Sequence, residues 1–206
     1  MNSKTGWVVS GQDLRGGTIS LGRSVRHLGD TAWMVDAAFR DVLPLFPELE
    51  GQKVRVETVE SANRFVRWAL AGDPLGNTRN RLPWESKFLV RLRRDVIAGD
   101  SGRFRAILSH ELTHIRQRLG QVPVVRYWEP WGEGKTMFEK VCDLHTLAKV
   151  GEVFPMRPTY LEVPDTITKE GWLEHVPWAV RLAREALSLG GGAESVRRWE
   201  EIFGRG

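Results

Sequence analysis

From residue 101 to residue 120 the apolar positions recur at helical spacing. Phe104, Ile107, Leu108, Leu112, Ile115 and Leu119 fall on one stripe, the pattern of a helix that buries one face. Ser101 is the expected N-cap and Gly120 the expected C-cap. A second helical pattern follows, with Met137, Val141, Leu144 and Ala148 as its buried stripe. Thr136 is placed to cap it, and Glu139, three positions on, to complete a capping box. Upstream the period drops to two. Residues 53–59 (KVRVETV) and 87–92 (KFLVRL) alternate as strands do.

The same pattern fills in most of the remaining chain. Residues 30–45 read as a helix capped by Asp30 and closed near Pro44 and Pro47, and residues 61–70 as a shorter amphipathic helix. Residues 6–10 and 18–21 are short strands, expected as an N-terminal hairpin. Residues 71–86, rich in Gly, Pro, Asn and Asp, read as a loop, and residues 120–135, with three Gly and two Pro, as a second. Near the C-terminus, residues 177–189 and 193–203 form two helices joined by Gly190, Gly191 and Gly192. The order predicts an α+β fold: one domain over residues 1–150, and a helical extension over 151–206 packed on it.

The long helix carries the chemistry. Residues 110–114 read His-Glu-Leu-Thr-His. Positions i and i+4 lie one turn apart on one helical face, so His110 and His114 can offer two imidazole nitrogens to one ion. Both fall on a stripe with Ala106 and Gln117, beside the buried face. Glu111, next to the first histidine, can act as base toward a metal-bound water, the arrangement of zinc-dependent peptidases. The competing reading, two solvated histidines on a surface helix, predicts exposure instead.

Two histidines need a third ligand. On the second helix Glu139 and Asp143 lie within about 40° of each other, while His145 points about 140° away, on the side of Phe138 and Cys142. One straight helix cannot offer both Glu139 and His145 to the same ion. Glu139 is the first choice, with Asp143 and His145 open as alternatives. Tyr127, on the loop between the two helices, can either donate to a tetrahedral oxyanion or pack as an aromatic.

HELTH, followed 25 positions after His114 by Glu-x-x-x-Asp, resembles the gluzincins, whose thermolysin-like members carry HExxH and then a helical Asn-Glu-x-x-Ser-Asp. The resemblance spans roughly residues 87–148. It implies a zincin-like catalytic domain: a small twisted sheet, an active-site helix and a ligand helix, with the strand at 87–92 at the sheet edge, where it would pair with an extended substrate. It further implies Zn²⁺ held by His110, His114 and Glu139, with Glu111 as general base for peptide hydrolysis. Asp143 would hydrogen-bond a zinc-binding histidine, fixing its tautomer. The chain departs from the pattern at Phe138, where Asn is usual, and at Cys142, where Ser is usual. A metzincin is excluded, because the residues after His114 lack the required Gly and third His.

Composition and charge narrow this further. Cys142 is the sole cysteine, so one chain cannot build a Cys-rich structural zinc site; it is expected as small core filler. One cysteine and no apolar leader point to the cytoplasm, and no run of 18 apolar residues exists to enter a membrane. The net charge of +4, with Arg91, Arg93, Arg94, Arg103, Arg105, Arg116 and Arg118 around the active helix, brings in nucleic acid as a possible partner. A resemblance to SprT-like proteases, which act on DNA-bound proteins, fits that charge. Those enzymes usually take a third His and often add a zinc ribbon. A peptide or protein substrate is the favoured partner; a catalytically silent zincin that only binds is the third possibility.

Overall fold

The computed structural model describes residues 18–21, 32–59, 76–80, 88–123 and 133–203. The chain divides into two compact units, residues 1–112 and 113–206, with the division inside the long helix.

The first unit contains strand β1 (Thr18–Leu21), helix α1 (Ala32–Val42), strands β2 (Lys53–Val59), β3 (Gly76–Asn80) and β4 (Phe88–Arg93), the single turn α2 (Arg94–Ile97), and the start of α3 (Ser101–Arg118). Helix α1 buries Val35, Ala38, Phe39 and Val42, an i, i+3, i+4, i+7 stripe. It gives way to two 3₁₀ turns that hold Pro44 and Pro47 near their starts, where the missing proline N–H costs least. The sheet order is β1-β2-β4-β3. Strands β1, β2 and β4 run parallel, and β3 pairs antiparallel to β4. Val54 and Val56 of β2, with Leu89, Val90 and Leu92 of β4, are buried.

Three sequence expectations change here. Residues 76–80 (GNTRN) are a strand and not part of a loop: backbone pairing with β4 holds them, and side-chain composition does not report such pairing. Strand β4 is interior, with β2 on one side and β3 on the other. Both its edges are occupied, so it cannot take an added substrate strand. Residues 18–21 do form a strand, but it joins β2 in parallel. The expected strand at 6–10, the helix at 61–70 and Tyr127 lie outside the described residues.

Helix α3 is capped at both ends. Arg103 donates its backbone N–H to Asp100 Oδ1 at 2.6 Å, so Asp100, and not Ser101, plays the N-cap part. At the C-terminus Gly120 has φ +72°. Its N–H reaches Gln117 O at 3.1 Å and the Gln121 N–H reaches Arg116 O at 2.9 Å, which is a Schellman motif.

The second unit begins within α3 and adds α4 (Glu133–Val150), α5 (Trp172–Leu187) and α6 (Ala193–Phe203). Its core joins Val141, Leu144 and Leu147 of α4 to Val176, Val180 and Ala183 of α5 and Val196, Trp199 and Phe203 of α6. Trp199 and Trp178 both stack on Phe203, with centroids 4.4 and 4.6 Å away. Gly151 closes α4 against α5, since a Cβ there would stand 2.7 Å from Val180 Cγ2. Helix α5 starts at Trp172 and runs through Pro177. The usual bias of a pre-proline residue away from the helical region made Pro177 look like its beginning. Among the described residues no helix is long and apolar enough to cross a membrane.

Candidate metal centre

Helix α3 presents a buried polar face. His110, Glu111, Thr113, His114 and Gln117 are all at most 7% exposed, as are Glu139 and Asp143 on α4. Solvated histidines on a surface helix are therefore excluded. Burying so many polar groups is costly unless each is partnered or serves an ion.

His114 shows the logic most clearly. Its Nδ1 lies 2.7 Å from Gln117 Oε1, and Gln117 Nε2 donates to the Phe138 carbonyl at 3.3 Å. A carbonyl only accepts, so the amide nitrogen must face Phe138 and the amide oxygen must face His114. His114 Nδ1 then carries the proton, and the Nε2 lone pair points outward. That Nε2 meets Glu139 Oε2 at 3.1 Å. Two acceptors facing each other at this distance need a cation between them, either a proton or a metal ion. The separation is close to the roughly 3.3 Å edge of a tetrahedral centre with bonds of about 2.0–2.1 Å. The Phe138 ring stacks on His114 at 5.1 Å with an 11° interplanar angle, holding the imidazole plane.

Gln117 was legible only as a neighbour on the histidine stripe; its orienting role was missed. The signal was its i+3 spacing from His114, which puts a side-chain carbonyl beside Nδ1. Thr146 also donates to the Thr113 hydroxyl at 3.0 Å. Along these contacts residue numbers rise on α3 as they fall on α4, so the two helices run antiparallel.

Among the described residues, one group of potential ligands has its atoms all within 4.8 Å of one another: His110, His114 and Cys142. Glu139 stands outside that group, against His114. Cys142 is fully buried among the hydrophobic residues of the core. The burial is that of the expected core filler, and the sulfur also lies within 4.8 Å of a nitrogen of each histidine. Cys142 lies three residues after Glu139, about 60° round α4, between Glu139 and His145. Helix α4 begins at Glu133, so Thr136 falls inside its first turn and not at the expected N-cap position.

Asp143 is directed to the loop that follows α4. Its Oδ2 accepts the backbone N–H groups of Thr159, Tyr160 and Leu161 at 2.9, 2.6 and 3.4 Å, so an imidazole partner would have to use Oδ1. Lys140 braces the same loop, with Nζ 3.0 Å from Glu162 and 2.9 Å from Glu200. Burial works against its charge, but the Glu200 and Glu162 carboxylates outweigh it and hold the Lys140 pKa above its usual value.

His145 turns away from the group, as helical geometry predicts, and pairs through Nε2 with the Gly191 carbonyl at 2.8 Å. Burial holds its pKa below the usual histidine range; the Arg116 and Lys149 charges push the same way, against the Gly191 carbonyl. The unfolded chain therefore gains its proton first as pH falls through about 6.5, and folding stability contributed by the neutral ring is lost below that point. His145→Gln should flatten the decline in urea stability between about pH 7 and 5 while leaving metal content unchanged. Parallel pH profiles for the variant and the parent would show that another group is titrating.

The arginines are largely committed. Arg91 pairs with Glu57 at 3.7 Å, Arg93 with Asp95, and Arg105 with Asp41 through Nε at 2.7 Å. The Arg93 hydrogen bond holds the Asp95 carboxyl below its ordinary pKa. No family model, curated protein or solved structure matches the chain, and its functional reading rests on the chemistry of this site.

Proposed function

We propose that this protein is a zinc-dependent peptidase, with His110, His114 and Glu139 as the metal-binding residues and Glu111 as general base. The observation that carries this reading is the His114–Glu139 pair: Gln117 fixes the tautomer that turns a lone pair toward a carboxylate oxygen 3.1 Å away. The donor set supports zinc over magnesium or calcium, which take oxygen ligands, since imidazole nitrogen and a nearby thiol suit a borderline-soft ion. Zinc bound there would lower the pKa of a coordinated water toward about 7 and polarise a scissile carbonyl.

The chain's own residues supply the rest. Gln117 and the Phe138 ring hold the His114 plane. Glu139 contributes a negative charge that offsets the ion's. The Glu111 carboxylate accepts the proton released by the attacking water and returns it to the leaving amine nitrogen.

Glu111→Gln tests this assignment. The variant should retain its zinc, because Glu111 is not a ligand, and lose hydrolysis of a peptide library by at least about a hundredfold. Loss of zinc in step with activity would show that Glu111 has been given the wrong role. Full metal occupancy with no turnover by the parent chain would point to a zincin-like binding module.

A further inference from the structure

We infer that Cys142 is a metal ligand, supplying a thiolate beside His110 and His114; this deepens the metal-site reading above and rests on it. The cysteine is wholly buried and brings its sulfur within 4.8 Å of a nitrogen atom of each histidine. A tetrahedral zinc centre with bonds of about 2.3 Å to sulfur and 2.0–2.1 Å to nitrogen has ligand–ligand edges of roughly 3.3–3.6 Å. Each pair in the group therefore needs to close by no more than about 1.5 Å around an ion. Helix α4 makes the placement possible, because Glu139 and Cys142, at i and i+3, are neighbours about 60° apart on its surface.

The assignment has a chemical consequence. A shell that held Glu139 as well as Cys142 would count four protein donors, as structural zinc sites do. Hydrolysis would need an open position, so it would require a shell of three of these donors rather than all four. Thiolate ligation also tilts the site toward soft ions and away from magnesium and manganese.

Cobalt(II) substitution of the full chain, kept reduced with a non-coordinating phosphine, tests this without any activity measurement. The chain has one cysteine, so a thiolate-to-cobalt charge-transfer band in the near ultraviolet can arise from no other residue. The expected spectrum shows that band together with the visible bands of a tetrahedral centre. In Cys142→Ser the near-ultraviolet band should disappear while the visible bands persist. Visible bands without the near-ultraviolet band in the parent chain would overturn the cysteine assignment and leave the histidine–carboxylate site standing. So would a near-ultraviolet band that survives in Cys142→Ser. Failure to take up cobalt at all would sink both readings.

Discussion

Purified without chelator, the chain is expected to carry one equivalent of zinc, and stripping the metal should lower its thermal midpoint by roughly 8–16 °C. The magnitude follows from linkage. A ligand that binds only the folded chain adds about 4 kcal/mol when its free concentration is a thousand times its dissociation constant. A chain of this size shifts by about 2–4 °C for each kcal/mol. The physical basis is the His114–Glu139 pair. Without metal, two acceptors 3.1 Å apart must share a proton, and that protonated form competes directly with the ion. Zinc affinity should therefore fall as the solution is acidified, because the imidazoles bind metal only when neutral.

His114→Ala should abolish both the stoichiometry and the zinc-dependent rise in midpoint. Gln117→Leu should retain the metal with an affinity lower by about 10- to 100-fold, the usual effect of removing an orienting partner. Calorimetry with and without added zinc, beside elemental analysis, reads both quantities. Less than half an equivalent after zinc addition, with no change in midpoint, would remove the metal from the account of this protein.

The long helix and its chemistry were legible because two periodicities coincide there. The apolar stripe of Phe104, Ile107, Leu108, Leu112 and Ile115 is buried as expected, and the i, i+4 spacing of the histidines brings them to one face. The strands at 53–59 and 88–93 and the C-terminal helices were legible for the same reason: each has a buried stripe that a local pattern records. Strand β3 was not. Its residues, Gly-Asn-Thr-Arg-Asn, carry no apolar alternation, and what makes them a strand is the free edge of β4. Long-range pairing of this kind leaves no local trace.

The limits at the site have a similar cause. Angles along one helix correctly separated His145 from Glu139, because both lie on α4. They could not say which face of α4 meets α3, and that decides the part played by Cys142. The family pattern made Cys142 a departure from the usual serine, and hydropathy made it a core residue. Only the placement of its sulfur beside two imidazoles gives it a chemical role. Gln117 shows the converse case: its position was plain, but the Phe138 carbonyl that orients its amide comes from 21 residues further along the chain.

Asp143→Ala is expected to cost about 3–4 kcal/mol of folding stability in the metal-free chain. The residue is 5% exposed, and its Oδ2 gathers three successive backbone N–H groups, those of Thr159, Tyr160 and Leu161. Hydrogen bonds to an ionised acceptor contribute about 1.5–3 kcal/mol each when made singly. Three that share one oxygen fall short of additivity, which sets the figure below the roughly 4.5–9 kcal/mol that three independent bonds would give. Removing the carboxylate would also leave the Leu161 N–H, in a residue 4% exposed, without its acceptor. Asp143→Asn keeps an oxygen in place and loses only the charge, so about half the effect should remain. Urea unfolding of the metal-free variants measures the cost apart from any zinc contribution. The family resemblance makes a different forecast, in which Asp143 orients a zinc-binding histidine. Stability within about 0.5 kcal/mol of the parent, together with a 10- to 100-fold loss of zinc affinity, would favour that role over the loop-anchoring one. The two outcomes fall on different measurements, so one pair of variants decides between them.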